Sequence, residues 1–135
     1  MVVFVSIVGC THTARHDIPQ PPYESQLHRA IKCEAHILSP WRTVYARSFR
    51  GRVLISGEQQ VFPGAVVALR KRGGQRIIEI EADERGRFEI TNLRSGVYEF
   101  VACTRDAGMD PDMGWVVVSR RASAEGLELF LRYGV

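Results

Sequence analysis

The sequence predicts an all-β fold, an antiparallel β-sandwich of about seven strands. From residue 46 onward, short runs of residues alternate between apolar and polar side chains. Gly, Pro, Asp and Asn residues, which favour turns, separate these runs about every eight to twelve residues. Because no helical run stands between them, two half-apolar sheets are expected to bury their apolar sides by packing face to face.

The composition is typical of one globular domain and leaves no length for a second, catalytic one. The chain has 135 residues, of which 45% are hydrophobic and 24% charged, within the usual size of a single domain. Its 18 basic and 15 acidic residues are mixed along the chain. Short basic clusters at 70–72 and 120–121 could face phosphate, anionic lipid or solvent. Without a nucleic-acid-binding motif beside them, no nucleic-acid partner is predicted.

The N-terminus carries a candidate export and lipidation signal. Residues 1–9 are apolar except for Ser6, and Ile7-Val8-Gly9-Cys10 resembles the bacterial lipobox. The resemblance implies a partial lipoprotein signal peptide over 1–9, lipidation of Cys10 and anchoring at the outer membrane or the periplasmic face of the cell envelope. Several acyl chains make a stable anchor. Because no Lys or Arg precedes the apolar run, we expect the true start upstream of Met1. The alternative is an N-terminal strand with a buried thiol.

Two segments connect this signal to the predicted sandwich. Residues 10–23 are polar and Pro-rich and predict an extended tether. Residues 24–45 predict an extension packed on the sandwich, with both helical and strand spacing present. In an exported chain, lipidation of Cys10 leaves Cys33 and Cys103 as an even pair, which predicts either one disulfide or two separate buried thiols.

The remaining residues, 46–135, predict the sandwich itself. The predicted strands are residues 47–56, 65–71, 76–82, 87–91, 96–104, 115–119 and 127–132. Their alternation assigns one side of each strand to the core. The predicted inward residues are Val53, Ile55, Ala65, Val67, Leu69, Ile78, Ile80, Phe88, Ile90, Tyr98, Phe100, Leu127, Leu129 and Leu131.

Four motifs in this region resemble the carboxypeptidase regulatory-like family of transthyretin-type sandwiches. They are Gly51-Arg-Val53, Phe62-Pro63-Gly64-Ala65-Val-Val67-Ala-Leu69, Ala82-Asp83-Glu-Arg-Gly86-Arg87-Phe88 and Leu93-Arg-Ser-Gly96-Val-Tyr98. The resemblance spans residues 51–132 and implies a prealbumin-like Greek-key sandwich that serves as an accessory or surface module. The departures, Ala82 for a frequent Thr and Arg94-Ser95 for two frequent prolines, affect turns rather than topology.

The catalytic chemistry associated with this fold is not predicted here. All four histidines precede the sandwich, and no His-x-x-Glu zinc pair occurs. A small transthyretin-like hydrolase is the enzyme alternative, but the sandwich offers no histidine as a general base. We therefore predict a non-enzyme with no cofactor.

One loop and two tryptophans are the candidate ligand-binding residues. Asp106, Asp110 and Asp112 could supply oxygen ligands to calcium; the alternative is a turn with its acids in water. Trp115 and Trp41 could stack on a sugar or partner, or lie buried. The predicted function is a non-catalytic envelope lipoprotein module that binds or scaffolds a protein or glycan. The alternative is a carbohydrate-binding module.

Overall fold

The computed structural model describes residues 26–33, 41–105 and 108–133. These residues form one short helix and nine strands, and the predicted all-β sandwich is confirmed. The elements are α1 (Gln26–Ala30), β1 (Arg42–Ala46), β2 (Phe49–Ile55), β3 (Val66–Lys71), β4 (Ile77–Glu81), β5 (Arg87–Ile90), β6 (Gly96–Cys103), β7 (Met109–Asp110), β8 (Asp112–Val118) and β9 (Leu127–Tyr133).

The strands form a five-stranded sheet in the order β1-β8-β6-β3-β4 and a four-stranded sheet in the order β5-β2-β9-β7. The prediction that the sheets are antiparallel throughout is wrong at two pairs, since β1 runs parallel to β8 and β2 parallel to β9. The chain passes from the five-stranded to the four-stranded sheet between β1 and β2, and again between β8 and β9, at the same end of the sandwich. The two crossings therefore lie side by side and run in the same direction.

Each parallel pair begins where a glycine allows two backbones to meet. A Cβ built on Gly51 of β2 would lie 1.7 Å from the carbonyl oxygen of Leu127 in β9. A Cβ on Gly114 of β8 would lie 1.7 Å from the carbonyl oxygen of Arg42 in β1. These glycines are therefore required by contact distance rather than by an unusual φ angle.

The main core lies between the sheets, and the predicted inward residues fill it. Twelve of the fourteen are buried members of one cluster, whereas Ile78 and Ile80 of the edge strand β4 are partly buried against it. Period-2 alternation therefore assigned the inner faces correctly.

A second apolar cluster covers the outer side of the five-stranded sheet. Leu27 and Ile31 from the α1 segment are 0% and 4% exposed and pack on Val66, Val101 and Met113. The helix has only five residues, which is too short to be stable alone. Its position therefore depends on these contacts and on the covalent bond described below.

Two of the quoted sequence motifs are turns held by specific hydrogen bonds. The Asp83 carboxylate accepts the N–H groups of Arg85 and Arg87 at 2.8 and 2.9 Å. Gly86 has φ +73°, and a Cβ there would lie 2.8 Å from the Cβ of Val61. In the last motif, the Tyr98 hydroxyl donates to the Arg94 carbonyl at 2.7 Å. These hydrogen bonds fix the two turns in the fold.

Strand β1 was not predicted, and all of it but Ala46 lies in the segment that the sequence assigned to the extension. Burial alternates along β1, with positions 42, 44 and 46 turned inward. The first of these inward residues is an arginine. An edge strand with an inward charge hides the apolar alternation that identifies strands. Short β7 was also missed, because two residues are too few to show a period.

Candidate functional site

The two cysteines that follow Cys10 in the chain are joined by a disulfide. The Cα atoms of Cys33 and Cys103 lie 5.8 Å apart, and the bond closes a sequence separation of 70 residues. Cys103 ends β6, the middle strand of the five-stranded sheet. The bond thus fixes the α1 segment onto the centre of this sheet. Cys10, the tether and Asp106 lie outside the described residues.

Of the two alternatives for Trp115, stacking on a ligand or burial, the structure shows burial. Trp115 is 3% exposed, and the Trp41 ring meets it edge-on with centroids 5.5 Å apart. Trp41 is itself partly buried against the outer cluster. The two rings therefore form a packed pair on the outer side of β8, and Trp115 presents no open face to a sugar.

The carboxylate of Asp112 is engaged by the protein rather than open to calcium. Its two oxygens accept the Nε–H and Nη2–H groups of Arg42 at 2.9 and 2.6 Å. Asp112 is 5% and Asp110 7% exposed. Within the described part of the chain, no group of three His, Cys, Asp or Glu side chains is placed to hold a metal ion.

The Arg42–Asp112 pair connects the two sheets beside the part of β9 that the short strand β7 does not cover. Asp112 also accepts the backbone N–H of Phe130 at 2.8 Å, and Arg42 donates to the Glu128 carbonyl at 2.9 Å. The Arg42 guanidinium lies 5.8 Å from the ring centroids of Phe100 and Phe130. The two side chains thus satisfy backbone groups of β9 that a neighbouring strand would otherwise pair with.

We expect Asp112→Asn to destabilise the fold by about 2 kcal/mol in urea unfolding. The amide leaves the Arg42 charge without its counter-ion, and the 36% exposure of the Arg42 side chain moderates the loss. The matched control is Glu128→Gln, which breaks an exposed pair with Arg52 of 2.8 Å and should cost less than about 1 kcal/mol. Equal effects of the two variants would contradict this account.

A charged cavity of about 720 Å³ lies on the outer side of the four-stranded sheet, across β5, β2 and β9. We call it the charged cavity. Its charged lining residues are Arg50, Arg52, Asp83, Arg87, Glu89, Glu125 and Glu128. Alternation places these side chains outward, opposite the buried residues of the same strands. The site is therefore open, polar and carried by a rigid sheet.

Strand register arranges the charges of this cavity in rows. Arg52 lies between Arg87 of β5 and Glu128 of β9, and pairs with Glu128. Arg50 lies opposite Glu89 and forms an ion pair of 3.2 Å with Glu125. Within the described residues, Arg87 forms no ion pair, so its guanidinium is available to an incoming carboxylate or carbonyl.

Asp83, at the rim of this cavity, is held as a carboxylate by its turn. The backbone N–H groups of Arg87 and then Arg85 lower the pKa of Asp83 below its ordinary value of 3.8. A lowered pKa in the folded state adds stability above the unfolded value, and this stability is lost as the pH falls below about 4.

We therefore expect Asp83→Asn to be less stable than the wild type above about pH 5, with the difference narrowing as the pH falls below about 4. Urea unfolding at a series of pH values measures this difference. Glu84→Gln is the control, since Glu84 lies in the same turn and accepts no hydrogen bond from the described residues. A difference for Asp83→Asn that stays constant with pH would contradict the role assigned to its charge.

Sequence analysis missed the charged cavity, although its signal was present. Arg50, Arg52, Arg87 and Glu89 occupy alternate, outward positions of two predicted strands. What the sequence lacked was the pairing of β2 with both β5 and β9, which brings distant charges together.

The described histidine, His28, belongs to α1, which packs on the five-stranded sheet. Burial and then the charge of Arg29 lower the pKa of His28 below its ordinary value of 6.5. Within the described residues, no helix combines the length and hydropathy needed to cross a bilayer.

No protein-family model and no curated protein matches this chain. Among solved structures, it is similar to a variant of BcpA, the major pilin subunit of Bacillus cereus, with a TM-score of 0.49 and 16% sequence identity. The alignment covers 64% of this chain and 30% of the pilin chain. This chain thus spans less than two thirds of the length of the structure it matches.

Proposed function

We propose that this chain is a non-catalytic module of the bacterial cell envelope, anchored by lipid at Cys10, that binds a protein partner through the charged cavity. The observation that carries the proposal is the disulfide between Cys33 and Cys103. Disulfides of this structural kind persist in oxidising compartments outside the cytoplasm. The lipobox-like residues 7–10 and the likeness of the four motifs to carboxypeptidase regulatory-like modules support the same location and role.

The chemistry of the charged cavity favours binding over catalysis. Its Glu125 and Glu128 carboxylates already face arginines, so neither is placed as a free general base. The unpaired Arg87 and the arginine–glutamate rows suit the peptide groups and charged side chains of another protein. A sugar-stacking role loses its support with the burial of Trp115, so a protein is preferred to a glycan as partner.

The location is tested by the intact mass of the native chain from a membrane fraction, before and after reduction and thiol labelling. We expect a chain that begins at Cys10 with added acyl groups, and two thiols that react only after reduction. A chain that retains the residues before Cys10, with free cysteines, would overturn the proposed envelope location.

The binding surface is tested separately by photo-cross-linking in the native host. A photoreactive residue in place of Glu89, in the charged cavity, should capture a discrete partner. The same residue in place of Glu79, on the other sheet, is the control. Adding Arg87→Glu should abolish the product, whereas Arg85→Glu should preserve it. Identical products from both positions would overturn the assignment of the cavity.

A further inference from the structure

Exposed cationic side chains gather at one end of the sandwich, opposite the end where β1 begins. Four connections meet there, over residues 47–48, 72–76, 91–95 and 119–126. Six exposed cations lie on these connections or on the strand residue next to them. They are Arg47, Lys71, Arg76, Arg94, Arg120 and Arg121. We call this group the basic end.

Strand register brings the separate parts of the basic end together. Ala46 of β1 and Gly96 of β6 both pair with Val118, the last residue of β8. Lys71, the last residue of β3, pairs with Tyr98 of β6. Segments that are up to 72 positions apart in sequence therefore finish at one end of the same sheet. In the sequence, only the short clusters at 70–72 and 120–121 were visible.

The charge at this end is not balanced by acidic neighbours. Within the described residues, none of the six cations forms an ion pair. Glu125, the one carboxylate in these four connections, is held 3.2 Å from Arg50. The opposite end carries exposed Glu58, Asp83 and Glu84 beside exposed Arg85 and Arg132, so that both signs are mixed there. The molecule is thus polarised, and a positive field extends from the basic end into solvent.

Hydrogen bonds hold the backbone of the connections that carry these cations. The Arg47 N–H donates to the Ala124 carbonyl at 2.9 Å, and the Ser119 N–H to the Ala46 carbonyl at 3.0 Å. The Tyr98 hydroxyl donates to the Arg94 carbonyl. Connections attached in this way lose little backbone entropy on binding.

The shape of the basic end favours a plane of anions over a linear polymer. The connections come from both sheets, which stack about 10 Å apart, and span strands spaced about 4.8 Å apart. The cations are therefore spread in two dimensions. Tyr45, 55% exposed, lies one residue before the end of β1. A tyrosine beside arginines is typical of a water–bilayer boundary, since its ring is apolar and its hydroxyl polar.

We propose that the basic end docks on the surface of an anionic phospholipid bilayer. The arginines would bind headgroup phosphates through paired hydrogen bonds, and the charged cavity on the side of the four-stranded sheet would remain open to a partner. This docking does not rest on lipidation of Cys10 or on the proposed partner. Failure of the mass experiment above would leave it standing.

The test is vesicle co-sedimentation of the full chain carrying Cys10→Ser, so that no acyl group contributes. Vesicles of phosphatidylcholine alone are compared with vesicles containing about one third phosphatidylglycerol. We expect binding only to the anionic vesicles, weakening as salt is raised from about 0.1 to 0.5 M. Arg120→Gln with Arg121→Gln should weaken binding about 25-fold, at about fivefold per cation.

The matched control is Arg85→Gln with Arg132→Gln, which removes the same charge from the opposite end and should change binding less than about threefold. Circular dichroism and melting curves verify that both variants fold. Equal weakening by the two variants, or equal binding to neutral and anionic vesicles, would overturn the proposal. Binding to soluble polyphosphate without binding to vesicles would also overturn it, in favour of a linear polyanion.

Discussion

Replacing Gly114 by alanine is expected to lower the free energy of unfolding by at least about 4 kcal/mol. The new Cβ would lie 1.7 Å from the carbonyl oxygen of Arg42, far inside van der Waals contact. Because the new Cβ is attached directly to the β8 backbone and the oxygen belongs to the β1 backbone, β1 must move away from β8. This movement also withdraws Arg42 from Asp112. Urea unfolding of the purified variant measures the loss, and we expect Gly51→Ala to behave alike at the β2–β9 pair.

Gly96→Ala is the matched control, because Gly96 also lies in a strand of the same sheet. The nearest heavy atoms to its added Cβ are 3.9 Å away, so we expect a change within about 0.5 kcal/mol. If Gly114→Ala and Gly96→Ala had similar stabilities, the close backbone approach would not be what selects glycine in the parallel pairs.

Removing the disulfide by Cys33→Ala with Cys103→Ala is expected to cost about 4 kcal/mol. The bond closes 70 positions of sequence, and chain entropy predicts a stabilisation of this size for such a loop. A domain of ordinary stability has only about 5–15 kcal/mol in total, so the melting temperature should fall by roughly 15 °C. Calorimetry of the variant beside the oxidised wild type gives the difference.

Two comparisons separate the covalent bond from the contacts around it. Reducing the wild type with dithiothreitol should reproduce the loss, because the packed side chains are then unchanged. Leu27→Ala with the disulfide intact should also destabilise, by about 2–5 kcal/mol, through the cavity it leaves. A reduced wild type that melts within about 3 °C of the oxidised protein would contradict the entropic role.

The sandwich core was predictable because its inner faces obey a simple period. Phe88 and Ile90, for example, alternate with polar Arg87, Glu89 and Thr91, so their direction follows from the strand geometry. The parallel pairs were not predictable, since alternation defines faces and carries no information about strand order. Gly114 is an example, because its close approach to the Arg42 backbone depends on a strand that lies 72 positions earlier in the sequence.

The candidate sites were less predictable than the core. Trp115 and Asp112 have residue types that often bind ligands, yet one packs on Trp41 and the other accepts hydrogen bonds from Arg42. Deciding between binding and packing needs tertiary neighbours, which composition and spacing do not supply. The basic end and the charged cavity were missed for the opposite reason. Their residues are ordinary surface charges until the strands bring them together.

The bond between Cys33 and Cys103 also decides which part of the molecule bears a mechanical load. Tension applied to the chain before Cys33 passes through the sulfur atoms to Cys103 and onward, so residues 34–102 lie on an unloaded covalent loop. Strand β1, which would otherwise be peeled from the sheet edge, is not stretched. The load instead passes from Cys103, the last residue of β6, into the part of the chain that leads to β7, β8 and β9. While the disulfide is intact, pulling from the N-terminal side therefore cannot extend β1 to β5.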